Sequence, residues 1–339
     1  MTPPTIPVIR VSGSHREVGR QIGAATADAV RARVAELSTT QLAGAEPYRA
    51  VTSRELPWLI DELDGVAEGA GVEPEAVFAA SIEELEEPEP ANEGRCSDMV
   101  ACPRATADGH LWVAHNNDLG PGAEARLVAI EWLLDGDPVV FTIGVGPWIS
   151  VGFNGAGLAL TGNEVAPNDN RVGIPRLLQV RDIMRWQTID EAVAAALHPA
   201  RASSYNNLLS HRDGSVVNVE GSATDAELIR PDERGTLAHT NHYVSDRMLP
   251  YEADAPYARR SEVRYRRALE WLQAERITPE LLREALSDHT GAPDSLCRHL
   301  GPGAESKTVF WVIADVSTGE ITYGRGNPCD SEEQRYAFA

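Results

Sequence analysis

The chain has 339 residues, 51 acidic against 30 basic, a formal charge of −21, with 42% hydrophobic and 6% aromatic positions; it can bury a sizeable core without disulfides, as two domains or one large one. The charge repels phosphate backbones and anionic membranes, and the 29 arginines and single lysine, Lys307, form no long run, so neither nucleic acid nor membrane is an expected partner. No stretch approaches the ~20 apolar residues that span a bilayer, and the opening MTPPTIPVIRVSG lacks the basic-then-apolar order of a secretion signal, which predicts a cytoplasmic protein.

After a short extended opening, SHREVGRQIGAATADAVRARVAEL predicts one amphipathic helix, with Ser14 and Glu17 spaced as a capping box and Val18, Ile22, Val30 and Val34 on its apolar face. Helical patterning continues through LPWLIDELDGVAEGAGV and EPEAVFAASIEEL. The composition then changes. Residues 84–95, ELEEPEPANEGR, are acidic, carry two prolines and lack hydrophobic periodicity, which predicts a solvated, mobile connector ending at Cys96. From Cys96 onward apolar runs are joined by tight-turn dipeptides: Asp108-Gly109, Asn154-Gly155, Asp213-Gly214 and Thr318-Gly319. Between these hairpins lie helical stretches: IPRLLQVRDIMRW, TIDEAVAAAL behind the Thr188/Glu191 capping box, SEVRYRRALEWLQAE, and PELLREALSDH behind Thr278 and Pro279. Hairpins make antiparallel sheets, whereas parallel pairing needs long crossovers, so the expected class is α+β, helices layered over antiparallel sheets.

Several motifs are weaker than they look. Gly152-Phe-Asn-Gly-Ala-Gly157 reverses the dinucleotide fingerprint and lies in a hairpin, where glycines serve turn geometry. His239 and His242 in H-T-N-H lack an accompanying metal-ligand spacing, and the four cysteines, Cys96, Cys102, Cys297 and Cys329, lack Cys-x-x-Cys spacing. Free thiols and no metal are therefore expected. The acidic cluster Glu83, Glu84, Glu86, Glu87 and Glu89 reads as solvated chain. Cys96 is different because of its place, a cysteine at the end of a connector and the start of a strand. Were the Arg95–Cys96 bond broken, Cys96 would carry a thiol and an α-amine of pKa ~7.7–8, a base near working pH on the nucleophile's own residue.

Cys96-Ser97-Asp98, HNND ending at Asp118, VGFNGAGLALTGNE with Asn154, VEGS with Glu220, HTNH with Asn241, SLCRHLG with Arg298 and the late TVFWVIADVSTGEITYGRGNP together resemble, in this order, the acyl-coenzyme A:6-aminopenicillanate acyltransferase family. The resemblance runs from about Arg10 to the C-terminus. It implies a four-layer αββα N-terminal-nucleophile hydrolase fold with two stacked antiparallel sheets, a helical pro-segment 1–95 packed on a catalytic unit 96–339, and cleavage between Arg95 and Cys96. By the same resemblance Cys96 is the nucleophile, Asp118 holds the new α-ammonium or a substrate amine, and Asn241 stabilises the oxyanion. Arg298, Glu220 and Asn154 are the implied substrate-binding residues, Arg298 facing either a substrate carboxylate or the cleavage site. The implied substrates are small amides, amines or acyl thioesters; no cofactor is implied, and acyl-coenzyme A would enter as a substrate. Two departures stand out. Arg95 replaces an expected small residue, and Ser97-Asp98 replaces a threonine-rich pair, with Asp98 expected to raise the thiol pKa by repelling the thiolate. The rival readings are an unprocessed hydrolase pairing Cys96 with His239 or His242, and a non-catalytic binding protein on the same fold.

Overall fold

The structure, a computed structural model, describes residues 5–85, 95–253 and 255–338. Strand β1 (Val8–Gly13) leads into helices α1 (His15–Ala25), α2 (Ala27–Ala35), α3 (Thr39–Gly44), α4 (Glu46–Glu55), α5 (Pro57–Ala70) and α6 (Pro74–Ala79), then a 3-10 turn at Glu83–Leu85. The hairpin β2 (Arg95–Ala101) and β3 (Trp112–Leu119) follows, then the short α7 (Pro121–Glu124) and strands β4 (Leu127–Leu134), β5 (Val140–Val145), β6 (Trp148–Asn154) and β7 (Leu158–Asn163). Helices α8 (Arg176–Ile183) and α9 (Ile189–Ala196) precede β8 (Asn206–His211), β9 (Val216–Gly221), β10 (Ala226–Ile229) and β11 (Thr236–His239). Helices α10 (Ala255–Trp271) and α11 (Pro279–Leu286) and strands β12 (Lys307–Asp315), β13 (Glu320–Arg325) and β14 (Gln334–Ala337) complete the chain.

The strands form two sheets, one ordered β1-β4-β5-β6-β7-β8-β9-β10 and the other β11-β2-β3-β12-β13-β14. Alternation along β12 shows why they stack: Phe310, Val312 and Ala314 join the core between the sheets, while Trp311 and Ile313 join the core under α10 and α11. On the other side, Val18, Ile22, Leu59 and Leu63 of α1 and α5 pack on Val128, Ile130 and Trp132 of β4. The result is the expected helix–sheet–sheet–helix stack. Among the described residues no helix is long and apolar enough to cross a membrane.

Local signals fare unevenly. The Ser14/Glu17 and Thr188/Glu191 capping boxes form, and Thr278 caps α11 with Pro279 in its first turn. The single helix expected from Ser14 onward is two, broken at Thr26, whose hydroxyl donates to the Ile22 carbonyl at 2.8 Å and whose backbone leaves the helical region (φ −116°, ψ 20°). Gly109, Gly214 and Gly319 take the positive φ their turns need, but between β6 and β7 that role falls to Gly157 (φ 103°) instead of Asn154-Gly155. Asn154 stays in β6 and accepts the Leu158 N–H on its Oδ1 at 3.0 Å.

Two larger expectations need correction. The sheets are not antiparallel throughout: β1 runs parallel to β4, Val8 opposite Ala129, because the helices and the β2–β3 hairpin between them supply a long crossover. The short extended opening before the helices is thus an edge strand of the larger sheet. The connector is also less solvated at its start. Arg176 donates to Glu83 Oε2 from Nε at 2.9 Å and to Glu84 Oε1 from its backbone at 2.9 Å, with Tyr205 and Ser203 hydroxyls on the same two carboxylates at 2.5 Å. A guanidinium and two hydroxyls replace the water that solvated carboxylates would need. Residues 86–94, with Glu86, Glu87 and Glu89, lie outside the described residues.

Candidate active site

The β2–β3 register sets the site. Cys96 lies opposite Asn117, Asp98 opposite His115, and Arg95 opposite Asp118. Because successive side chains alternate, Cys96 and Asp98 share the face of Val100, which packs between the sheets, and Ser97 shares the face of Met99, which packs under α10 and α11. On the first face, Asn117 Nδ2 donates to Cys96 Sγ at 3.5 Å and lies 3.4 Å from His115 Nε2, while His115 Nδ1 is 2.9 Å from Asp98 Oδ1. Cys96 is only 6% exposed. Burial first, then the Asp118 and Asp98 carboxylates, push its thiol well above the ordinary range, and Arg264 opposes them. The thiol is thus held in its protonated form. Asp98 acts in the direction expected of it.

The backbone of Cys96 is gripped from the side. Its N–H donates to Asn241 Oδ1 at 2.8 Å, and Arg264 Nη1 donates to its carbonyl at 2.5 Å and to Ser97 Oγ at 3.0 Å. Arg264 Nη2 also donates to Asn241 Oδ1 at 2.8 Å, so one guanidinium ties together the strand and the H-T-N-H loop. Asn241 completes its bonds by donating from Nδ2 to the Glu164 carbonyl at 2.9 Å and from its backbone to Ser261 Oγ at 2.7 Å. In this arrangement Asn241 holds the nitrogen of Cys96, and the side-chain N–H that reaches the sulfur belongs to Asn117. Asp118 is fully buried and accepts from Thr308 Oγ1 at 2.7 Å, with Arg298 Nε 4.0 Å from its Oδ2. Burial raises its carboxyl pKa, against the pull of Arg264 and Arg298. Asp118 Oδ2 and Arg298 Nε and Nη2 have no hydrogen-bond partner among the described residues.

Not every implied residue comes to this centre. Glu220 is a clamp: it binds His239 Nε2 at 2.8 Å and accepts from the backbones of Val244 (2.7 Å) and Ser245 (3.0 Å), which fixes the loop carrying Asn241. Burial alone would raise its carboxyl, but His239, Ser245 and the Val244 N–H outweigh it and hold the pKa low. Asn154 spends its amide on the Met184 and Trp186 carbonyls at 3.1 and 2.8 Å, anchoring β6 to the end of α8. His239 bonds Asn163 Oδ1 through its other nitrogen at 2.9 Å, and His242 Nδ1 lies 2.9 Å from Ser261 Oγ. Neither histidine makes a hydrogen bond to Cys96 among the described residues.

Arg264, Asn117 and Ser261 are the members that sequence reasoning missed. A signal for two of them was available: Ser261, Arg264, Ala268 and Leu272 recur at helical spacing, so two polar residues occupy the buried stripe of α10. A buried arginine in such a stripe is there to be bonded. Asn117 stood beside Asp118 in HNND, but only the strand register brings it to the sulfur. A further group, His289, Cys297, His299 and Cys329, which its sequence spacing hides, converges behind Arg298 with its ligand atoms within 4.8 Å of one another.

The site thus places a buried cysteine near the start of an inner strand of a helix–sheet–sheet–helix stack, with its own nitrogen and sulfur each held by a side-chain amide. The family model of acyl-coenzyme A:6-aminopenicillanic acid acyl-transferase matches residues 105–330, about two thirds of the sequence, and the chain belongs to that family. The match spans Asp118, Glu220, Asn241 and Arg298 and begins after Cys96. No protein of curated function matches the sequence. Among solved structures, a Caenorhabditis elegans ortholog of N-acylethanolamine-hydrolyzing acid amidase is 14% identical over 66% of this chain and 93% of its own, with a TM-score of 0.43. Two variants of conjugated bile acid hydrolase from Clostridium perfringens are each 10% identical over 72% of this chain and 97% of their own, with TM-scores of 0.43 and 0.44.

Proposed function

We propose that the chain cuts itself between Arg95 and Cys96 and then works as a cysteine amidase or acyltransferase on small amides or acyl thioesters. The observation that carries this reading is the seat of Cys96, its N–H on Asn241 Oδ1 at 2.8 Å and its sulfur under Asn117 Nδ2 at 3.5 Å. In the precursor the thiol adds to the Arg95 carbonyl, the peptide nitrogen leaves as the amine of Cys96, and water hydrolyses the thioester to free the chain 1–95. Asp118, opposite Arg95 in the register, has an Oδ2 that makes no hydrogen bond among the described residues and can take the α-ammonium. In the mature enzyme that amine takes the proton from the raised thiol as sulfur attacks the substrate carbonyl, and passes it to the leaving amine or thiol. Asn117 Nδ2 supplies an N–H for the oxygen that becomes negative, and Asn241 keeps the α-nitrogen in place. Water as acceptor gives an amidase; an amine gives an acyltransferase.

Intact-mass measurement of wild type beside Cys96→Ala tests this. The expected wild-type result is two chains of 95 and 339 − 95 = 244 residues, with Cys96→Ala left as one inactive chain. Full amidase activity in an uncut wild-type chain would remove the amine from the mechanism.

A further inference from the structure

The geometry points to a structural zinc site formed by His289, Cys297, His299 and Cys329. Cys297 Sγ lies 3.7 Å from Cys329 Sγ and 3.6 Å from His299 Nε2; Cys329 Sγ lies 3.4 Å from His299 Nε2; and His289 Nε2 lies 3.1 Å from His299 Nε2. A tetrahedral ion with Zn–S of ~2.3 Å and Zn–N of ~2.0–2.1 Å has edges of about 3.8 Å between sulfurs, 3.6 Å between sulfur and nitrogen, and 3.3 Å between nitrogens. Four of the six edges follow that order and lie within about 0.2 Å of those values, and the two from His289 to the sulfurs lie within 4.8 Å. A disulfide explains less: the sulfurs stand well beyond the ~2.05 Å of an S–S bond, and it leaves two histidines converging on them without cause.

The donor set names the metal. Two thiolates and two imidazoles suit a borderline-soft tetrahedral cation, with no carboxylate or carbonyl oxygen for a hard one. Four protein ligands close the coordination sphere, which makes the site structural. Around it, Asn327 Nδ2 lies 3.5 Å from Cys297 Sγ and 2.5 Å from the Arg298 carbonyl, and Arg283 donates to the Pro328 and Ser331 carbonyls at 2.8 and 3.3 Å on either side of Cys329. Such contacts orient ligands and set their charge. Cys297 is buried, whereas His289, His299 and Cys329 are exposed and open to metal from solvent.

The position in the fold suggests what the ion does. Three ligands come from the segment between α11 and β12, and Cys329 comes from the segment between β13 and β14; neither segment has helix or strand of its own around the ligands. A shared ion staples them together. Cys297 and His299 flank Arg298, whose guanidinium donates to Asp294 Oδ1 at 3.0 Å and lies 4.0 Å from Asp118, which Arg264 also faces. Zinc therefore positions Arg298 for the cleavage and acyl-transfer chemistry, a role that rests on the function proposed above; the metal site itself does not.

The test uses full-length protein purified in reductant and dialysed without chelator. Elemental analysis is expected to give one zinc per chain, and exchange into cobalt(II) to give the visible bands of a tetrahedral ion together with a thiolate-to-cobalt charge-transfer band. Cys329→Ser and His299→Ala should lose the metal while keeping the circular dichroism of the fold, His299→Cys should retain it, and Asn327→Ala should weaken it by about 10–100-fold. Reduced, folded wild type that takes up neither zinc nor cobalt, or a Cys297–Cys329 disulfide in non-reduced peptide maps of active protein, overturns the site. If chelation removes the metal and self-cleavage or turnover falls, with recovery on added zinc chloride, the link to Arg298 stands. Unchanged activity in stripped protein overturns that link alone. Were no acyl chemistry found at all, metal stoichiometry would still decide the site.

Discussion

At the scale of single residues, the site is a problem of holding a nitrogen and a sulfur in a dry place. Asn241 is the most exposed to test, because its Oδ1 takes both the Cys96 N–H and an Arg264 donor. Asn241→Ala is expected to slow self-cleavage and kcat by roughly 10²–10³, the usual cost of losing one positioned polar group at a reacting centre. Time-resolved intact mass and steady-state kinetics read the two effects, and a tenfold or smaller change in both would sink the assignment. His242 carries a prediction of another kind. Burial, then His239 and Arg264, lower its pKa from 6.5 to about 4. Between those values the unfolded chain binds a proton that the folded chain refuses, so stability is complete above about 6.5 and is lost as pH falls toward 4. The loss is roughly 3 kcal/mol. Urea unfolding at both ends of that window should show it, and His242→Asn should flatten the slope, leaving the part due to Glu220, whose lowered pKa works in the same direction.

At the scale of elements, α1 and α5 illustrate how small residues set a geometry that larger ones then use. A Cβ on Gly19 or Gly23 would stand 1.9 or 2.1 Å from the carbonyls of Glu62 and Val66, and one on Gly65 or Gly69 would stand 2.2 or 2.1 Å from those of Arg16 and Arg20. Backbone meets backbone at all four positions, so nothing can rotate out of the way. Gly65→Ala, which ought to gain helix propensity, is instead expected to destabilise by about 1–3 kcal/mol from overpacking, and more if the helices must separate. Thermal or urea unfolding of the variant checks this; a stabilised variant would mean that the two helices are looser than described. The same pair of helices carries Glu62, which receives Arg181 Nε at 3.0 Å across the layer, so the contact also aligns α5 with α8.

For the whole molecule, the segment before Cys96 is woven into both ends of the fold. β1 pairs along its length with β4, and Gln334 in β14 bonds both the N–H and the carbonyl of Ile6, at 2.6 and 2.9 Å. Cutting one peptide bond at position 95 leaves those contacts, the α1–α5 packing and the Arg176 clamp on Glu83 and Glu84 untouched. The cleaved protein is therefore expected to run as one particle in native size-exclusion chromatography and as two chains under denaturing conditions. Release of the small chain without denaturant would contradict the interlocking described here.

Much of this was legible in the linear chain because its signals are local. Caps at Ser14, Thr188 and Thr278 need partners three residues away, turns need a glycine, and alternation along β12 needs only its neighbours. The order of motifs from Cys96 to Arg298 was enough to indicate the family. What could not be read are pairings between residues far apart in sequence, whose approach depends on strand register and layer packing together. Asn117 meets the sulfur through the β2–β3 register, Arg264 bridges 168 residues to the Cys96 carbonyl, β1 finds β4 as a parallel neighbour, and Cys329 meets His299 across 30 residues. No periodicity encodes such meetings, because each is fixed by the packing of the two sheets and their helices and not by any one element's own pattern.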